Sequence, residues 1–270
     1  MKYLARTAAG RPLLGDEEGF VPLATAGFES VSAALPAAAR GELPAPGGKP
    51  ARRVPAERIA FGLPIALESV GKLWGIGLNY EEHAGDLGEA RPKEPASFMK
   101  PRTAVTGPGG PVRLPPSERT DRVTAEAELA VLLGRTASDV EEPDDVIAGY
   151  LPVIDMTAED VLERNPRFLT RAKSFDTFLV LGSTIAVPDS PPAFDEREVR
   201  TVRNDETVAE NTMENMLFSP RELVAFHSRV MTLEPGDLLS TGTPGAGVIA
   251  AGDRVRAEVE GIGSVEAEVV

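Results

Sequence analysis

The sequence predicts an α+β protein in which short strands outnumber helices. Its 270 residues include 26 glycines and 24 prolines. These interrupt the apolar runs without repeating in a pattern, as expected for short strands joined by tight turns. Aromatic residues make up only 5% of the chain, so the core must be built mainly from Val, Leu, Ile and Ala. At about 150 residues per domain, the length allows one large domain or a main domain with a small companion.

The first 70 residues have the composition of a small N-terminal domain followed by a linker. A short apolar run at 19–23 precedes an Ala-rich segment, Val31 to Arg40, for which we predict a helix. The Pro/Gly stretch from Leu43 to Pro50 is typical of a linker. We therefore predict a domain boundary near residue 70.

Longer apolar runs predict that strands dominate the second domain, 71–270. These runs are Lys72–Leu78, Ala127–Leu133, Val146–Ile154, Phe178–Val187, Leu238–Thr241, Val255–Val259 and Ser264–Val270. The last two alternate with a period of two residues, as half-buried strands do. The clearest helix spans Ser219 to Met231, with Ser219 as N-cap and Pro220 at the first helical position.

The charge balance limits the possible partners. The 28 basic and 42 acidic residues give a net charge of −14, and no run of Lys or Arg is present. This composition argues against binding to nucleic acid or to an anionic membrane and favours a small-molecule substrate. The lack of cysteine excludes disulfides, thiolate metal sites and thiol nucleophiles. No apolar stretch approaches the roughly 18 residues of a membrane span, and the start of the chain lacks the apolar core of a signal peptide, so we expect a cytoplasmic protein.

Three carboxylates are placed so that they could share a divalent cation. Glu126 and Glu128 lie two residues apart in a predicted strand, so both side chains leave the same face. Asp155 follows the apolar run 147–154, where we predict that a strand stops and that residues 157–160 cap a helix. An all-oxygen cluster suits Mg²⁺, Mn²⁺ or Ca²⁺ better than zinc. By spacing alone, a solvated strand face with Asp155 as a helix cap is the more common arrangement of such residues, because charged residues are usually exposed.

One of the two histidines has the spacing of a general base. Asp86 lies three residues after His83, which puts the two side chains on one face of a helical turn. An aspartate on one ring nitrogen fixes the tautomer and leaves the other nitrogen to take a proton from water. A surface histidine with a neighbouring acid has the same spacing. The other histidine, His227, lies among apolar residues, and we interpret it as structural.

Two lysines and one turn are further candidates. Lys100 and Lys173 occur where apolar and turn residues surround a cation, and an anionic substrate of this acidic chain would need such cations. Both could also be surface lysines with buried stems. For Gly242 and Thr243 we predict a tight turn after a strand, where backbone N–H groups could face an oxyanion. An ordinary connecting turn has the same sequence pattern.

Together these segments resemble the fumarylacetoacetate hydrolase family, specifically its smaller bacterial members that act on acylpyruvates and related 2-oxo acids. The resemblance covers about residues 72–270. It rests on the order and spacing of Gly-Leu-Asn-Tyr80 with His83, Phe98-Met-Lys-Pro101, Glu126-Ala-Glu-Leu129, Ala148-Gly-Tyr150 with Asp155, Lys173-Ser-Phe-Asp176, Thr232-Leu-Glu-Pro-Gly-Asp237 and Thr241-Gly-Thr-Pro244. It implies a mixed β-roll with a small N-terminal α/β domain, usually as a homodimer.

The resemblance also implies roles for individual residues. Glu126, Glu128 and Asp155 would bind Mg²⁺ or Mn²⁺, and His83 would activate water. Asp86 would orient His83, where relatives generally have Glu. Lys173 would be a cation near the developing oxyanion. The residues expected around the substrate are Tyr80, Lys100, Glu159, Leu162, Gly242 and Thr243.

The segment after Asp155 departs from the family pattern. The family usually reads Asp-x-Ser-x-Arg-Asp-x-Gln, whereas this chain has Glu159 in place of the Arg and Leu162 in place of the Gln. The pocket would then lack a cation and an amide donor, and we predict a less anionic or larger substrate. At about 5 Å and an effective dielectric constant near 20, each unit of charge is worth roughly 3 kcal/mol to an anionic ligand.

Three functions are therefore carried forward. The first is metal-dependent hydrolysis of a C–C bond in a 1,3-dicarbonyl or 2-oxo acid. The second is an isomerase, a decarboxylase or another non-hydrolytic enzyme of secondary metabolism on the same fold, favoured by the missing Arg and Gln. The third is a metal-containing binding protein without catalytic activity, suggested by the same two departures.

Overall fold

Two sheets are formed by the residues that the computed structural model describes, 1–47, 52–80 and 92–270. The large sheet is mixed: Leu73–Gly77 pairs parallel with Leu238–Ser240, and Val105–Thr106 with Leu179–Leu181, whereas its other pairs are antiparallel. Its strands are β1 (Lys2–Arg6), β2 (Pro12–Asp16), β3 (Gly19–Pro22), β4 (Leu73–Gly77), β5 (Ala96–Lys100), β6 (Val105–Thr106), β7 (Val123–Leu133), β8 (Ile147–Ala158), β9 (Leu179–Leu181), β10 (Thr184–Val187), β13 (Leu238–Ser240) and β14 (Ala246–Ile249).

The small sheet is antiparallel, in the order β12-β11-β15-β16. Its strands are β11 (Glu198–Arg203), β12 (Glu206–Thr212), β15 (Arg254–Val259) and β16 (Gly263–Glu268). The α-helices within the described ranges are α1 (Val31–Ala39), α2 (Glu159–Arg164), α3 (Leu169–Lys173) and α4 (Pro220–Val230). This architecture, rich in strands and poor in helices, confirms the predicted fold class at that level.

The N-terminal strands continue the large sheet. The order β3-β2-β1-β10-β8 carries hydrogen bonds from the first strands into the centre, with Leu4 opposite Ile185. Leu4 and Leu14 also share one apolar cluster with Leu132 and Leu151. The first strands are thus packed onto the rest of the protein, and the domain boundary near residue 70 stays a prediction.

The two longest strands, β7 and β8, pair antiparallel at the centre, and every residue of both is buried. On one face of β7, Ala125, Ala127 and Leu129 join the core beneath the small sheet, together with Val255 and Ala257. Because side chains alternate along a strand, Thr124, Glu126 and Glu128 lie on the opposite face. The pairing therefore puts acidic side chains inside the protein.

Two sequence predictions of helices are confirmed. Helix α1 occupies the Ala-rich segment, and α4 begins after Ser219, whose hydroxyl accepts from the Glu222 N–H while the Glu222 carboxylate accepts from the Ser219 N–H. Such a reciprocal pair satisfies two N–H groups that a helix start leaves free. No helix within the described ranges is long and apolar enough to cross a membrane. The homodimer and the cytoplasmic location stay predictions.

Candidate metal centre

The three predicted carboxylates converge. Glu126 lies on β7 directly opposite Asp155 on β8, and Glu128 follows two residues along β7. One oxygen from each side chain lies within 4.8 Å of the others. The residues are only 6%, 1% and 0% exposed for Glu126, Glu128 and Asp155. The alternative of a solvated strand face is therefore wrong for this pair of glutamates.

The prediction that a strand stops at Asp155 is wrong. Strand β8 continues to Ala158, with Thr157 opposite Thr124 and Ala158 opposite Val123. The Thr157 hydroxyl donates to Glu126 Oε1 at 2.5 Å, and α2 begins after Ala158 with no side-chain cap. The predicted helix cap at 157–160 is therefore wrong, because pairing with β7 keeps these residues extended.

Two buried ammonium groups compensate the carboxylates. Lys173, at the end of α3, donates to Glu126 Oε2 at 2.6 Å and lies 3.5 Å from Asp155 Oδ2. Lys100, at the end of β5, forms an ion pair with Asp155 Oδ1. Lys100 also donates to the backbone carbonyls of Met156, at 3.2 Å, and Phe178, at 2.6 Å. Three acidic groups thus face two basic ones, so the centre keeps an excess of negative charge if all five are ionised.

The surroundings shift the pKa values of these groups in opposite directions. Burial and the neighbouring Asp155 charge raise the pKa of Glu128 to about 8. Burial also raises the pKa of Asp155, despite its two lysine neighbours. Burial alone would raise the pKa of Glu126, but Lys173 and Thr157 outweigh it, so that this pKa is lowered. Burial would lower the pKa of Lys173, but the surrounding carboxylates raise it above its ordinary value.

The residues present fit a hard divalent cation. Asp155 is fully buried, and its two oxygens are paired with the ammonium groups of Lys100 and Lys173. The hydroxyl of Tyr80 is also fully buried and has no hydrogen-bond partner among the described residues. Buried polar groups without partners are rare in proteins, and an all-carboxylate donor set suits Mg²⁺, Mn²⁺ or Ca²⁺.

The family model for the C-terminal domain of fumarylacetoacetate hydrolase matches residues 72–270. The chain belongs to the fumarylacetoacetate hydrolase family. Among curated relatives, the bifunctional isomerase/decarboxylase of 4-hydroxyphenylacetate degradation from Escherichia coli is 36% identical over 203 residues, which cover 74% of this chain and 47% of that protein.

Solved structures of family members extend over nearly the whole chain. The 5-carboxymethyl-2-hydroxymuconate delta-isomerase from Mycobacterium smegmatis superposes with a TM-score of 0.77 at 31% identity, covering 100% of this chain and 99% of that one. Maleylpyruvate hydrolase from Sphingobium sp. SYK-6, in complex with manganese(II) and pyruvate, has a TM-score of 0.78 at 26% identity, with 99% and 98% covered. The family therefore includes both isomerases and hydrolases on this fold.

Several residues that the family resemblance assigns to the substrate are engaged with the protein instead. Lys100 directs its ammonium group at three protein acceptors. The Gly242 N–H donates to Glu128 Oε2 at 2.9 Å, and the Thr243 hydroxyl donates to the Gly245 carbonyl at 2.7 Å. Gly242 has a φ of 93°, and a Cβ there would lie 2.8 Å from the Asn79 Cβ. These three assignments stay predictions. Lys100 and Gly242 contact the carboxylates themselves, whereas Thr243 closes the turn to Gly245.

The remaining assignments fall partly within and partly outside the described residues. Glu159 is partly buried and accepts a hydrogen bond from the Thr124 hydroxyl at 3.0 Å. Leu162 packs against the main apolar core. The proposed base His83 and its partner Asp86 lie outside the described residues, so their roles stay predictions.

Sequence reasoning missed two residues that hold the carboxylates. Ser240, on β13, donates its hydroxyl to Glu128 Oε2, and Thr157 donates to Glu126. The alternation along β8 could have revealed Thr157, because it leaves the strand on the same face as Asp155. No sequence signal connects Ser240 to Glu128, because only the pairing of β13 with β7 brings them together.

Proposed function

We propose that this protein is a divalent-metal-dependent hydrolase that cleaves a C–C bond in an acylpyruvate-like 2-oxo acid. The observation that carries the proposal is the buried convergence of Glu126, Glu128 and Asp155. The family relative that binds manganese(II) and pyruvate supports both the kind of ion and the ligand class. In the reaction, water adds to the acyl carbonyl, the bond to the CH₂ group breaks, and a carboxylic acid and pyruvate are released.

The three carboxylates would hold Mg²⁺ or Mn²⁺. When bound, the dication supplies positive charge that polarises the oxygens of a 2-oxo acid and favours the enolate released when the C–C bond breaks. The chain supplies the rest of the arrangement. Thr157 and Ser240 fix the orientations of Glu126 and Glu128 through hydrogen bonds. Removal of a hydrogen-bond partner of a metal ligand typically weakens metal binding strongly.

Two cations of the chain have different tasks in this proposal. Lys100 is fully engaged and positions Asp155. Lys173 has one close hydrogen bond, to Glu126, and lies at a longer distance from Asp155. A lysine ammonium group has three N–H donors, so Lys173 can direct one of them at an oxyanion. His83, oriented by Asp86, would take the proton from the attacking water.

A second candidate function is isomerisation or decarboxylation of the same kind of substrate. The observation that favours it is the carboxylate of Glu159, which accepts a hydrogen bond from Thr124 on the β7 face that carries Glu126 and Glu128. Negative charge there opposes the tetrahedral oxyanion that water attack creates. An isomerase or decarboxylase forms the enolate without that oxyanion. The E. coli relative, an isomerase/decarboxylase, is consistent with this alternative.

Turnover in ¹⁸O-labelled water separates the two candidates. The Mn²⁺-loaded protein is incubated with a panel of acylpyruvates, and the products are examined by mass spectrometry. Hydrolysis predicts one ¹⁸O atom in the carboxylic acid product, which His83→Ala should abolish. Turnover with no label in a carboxylate product would contradict hydrolysis and support the second candidate. Absence of any turnover would contradict both and favour a metal-containing binding protein.

A further inference from the structure

Glu159 is an unpaired acid at the edge of the candidate centre. Helix α2 starts at this residue directly after β8 ends, and its backbone N–H donates to the Arg122 carbonyl at 2.9 Å. This hydrogen bond holds the Glu159 backbone beside the start of β7. The carboxylate oxygen Oε1 then accepts from the Thr124 hydroxyl at 3.0 Å.

That hydrogen bond locates the carboxyl group relative to the metal ligands. Thr124 precedes Glu126 by two residues on β7, so the two side chains leave the same face about 7 Å apart. Glu126 lies near enough to Glu159 for its charge, after burial itself, to raise the pKa of Glu159. The carboxyl group of Glu159 thus lies on the side of β7 that carries Glu126 and Glu128.

Glu159 forms no ion pair within the described residues. Lys173 and Lys100 form ion pairs with the metal-centre carboxylates, and Arg122, directly before β7, forms its ion pair with Glu163. The charges of Lys173 and Arg122 lower the pKa of Glu159, but burial and the charge of Glu126 outweigh them, so that this pKa is raised. The second oxygen of Glu159 accepts no hydrogen bond from the described part of the chain, and the residue is only partly buried. It therefore directs negative charge toward the part of a bound ligand that extends from the centre along β7.

We propose that Glu159 determines substrate specificity by excluding 2-oxo acids with a second carboxylate at the far end. This inference rests on the proposed function, because it assumes that the centre binds the 2-oxo acid group. The accepted substrate then has an uncharged or cationic far end. Coulomb repulsion between two partly solvated carboxylates at 5–7 Å corresponds to a loss in affinity of about tenfold or more.

Binding of two uncleavable ligands of equal chain length tests this specificity. The ligands are 2-oxopentanoate, with a methyl end, and 2-oxoglutarate, with a carboxylate end. Isothermal titration calorimetry with the Mn²⁺-loaded protein at about pH 8 gives both dissociation constants. We expect 2-oxopentanoate to bind at least tenfold more tightly to the unmodified protein.

Glu159→Gln should strengthen 2-oxoglutarate binding about tenfold and leave 2-oxopentanoate within about twofold. The control is Glu118→Gln, which removes the same charge from an exposed residue ahead of β7 and should change neither constant by more than about twofold. Equal binding of both ligands, or an equal shift of both in Glu159→Gln, would overturn the specificity role while leaving the proposed function intact. Failure of both ligands to bind any variant would instead contradict the proposed function.

Discussion

Two strands of this protein carry charged side chains that are two residues apart, but these are buried on one strand and partly exposed on the other. On β7, Glu126 and Glu128 face the interior, where Glu126 pairs with the buried Lys173. On β15 in the small sheet, Arg254, Arg256 and Glu258 share one partly exposed face. The two arginines form ion pairs there with Asp205, Glu258 and Glu266. The spacing is identical, but only one of the two sets is removed from water.

The comparison shows that burial, and not the presence of charge, separates a candidate site from an ordinary surface. Exposed ion pairs contribute about 0–1 kcal/mol each because water screens them. Buried charges are costly unless every one is paired. The β7 carboxylates are held by hydroxyl donors and by lysine partners. Buried, interacting ionisable groups of this kind occur preferentially at functional sites.

The largest effect on stability is expected for Lys100→Met. This substitution keeps the apolar stem but removes the charge, which leaves Asp155 and two backbone carbonyls without their ammonium partner. Breaking a buried pair in this way costs about 3–5 kcal/mol. Urea denaturation of the chelator-treated protein measures the change in the free energy of unfolding.

Lys2→Met is the matched control for that substitution. Lys2 pairs with the exposed Asp189, which also keeps its ion pair with the N-terminal amine. We expect a cost of about 1 kcal/mol or less. If the two methionine variants lost equal stability, the proposed difference between buried and exposed lysines would be wrong.

An intermediate effect is expected for Ser240→Ala, which removes the hydroxyl donor to Glu128. Glu128 keeps the Gly242 N–H, so the loss should be about 1–2 kcal/mol. Ser97→Ala, on an exposed position of β5, controls for the loss of a strand hydroxyl and should change stability by less than about 0.5 kcal/mol. Identical melting curves for Ser240→Ala and Ser97→Ala would argue that Ser240 does not support the carboxylate.

The smallest effect is expected for Arg256→Ala on the small sheet. Arg256 pairs with Glu258 at 2.8 Å and Glu266 at 3.2 Å, all three partly exposed. The substitution should cost less than about 1 kcal/mol, and the difference should shrink further in 1 M salt because the charges are screened. A loss as large as that of Lys100→Met would refute the contrast between the two strands.

The sequence was sufficient for the features that depend on local spacing. Alternation predicted β15 and β16, the N-cap at Ser219 predicted α4, and the two-residue spacing put Glu126 and Glu128 on one face. Recognition of the family brought Asp155 to the same site. These predictions need only the strand repeat, the cap chemistry and the order of motifs.

The remaining features depend on long-range pairing that spacing cannot reveal. Lys100 and Asp155 meet because β5 and the end of β8 converge, 55 positions apart in the chain. Thr157 looked like a helix cap because its local sequence fits one, but pairing with β7 prevailed. The same repeat describes β7 and β15, so the sequence could not tell which charges would be buried.

Titration with Mn²⁺ is the most direct test that the three buried carboxylates form a metal site. Calorimetry on the chelator-treated protein is predicted to show one ion bound per chain. Asp155→Asn should weaken binding at least tenfold, whereas Asp189→Asn, on an exposed acid, should leave it unchanged. Absence of Mn²⁺ binding, or equal binding by Asp155→Asn, would contradict the account.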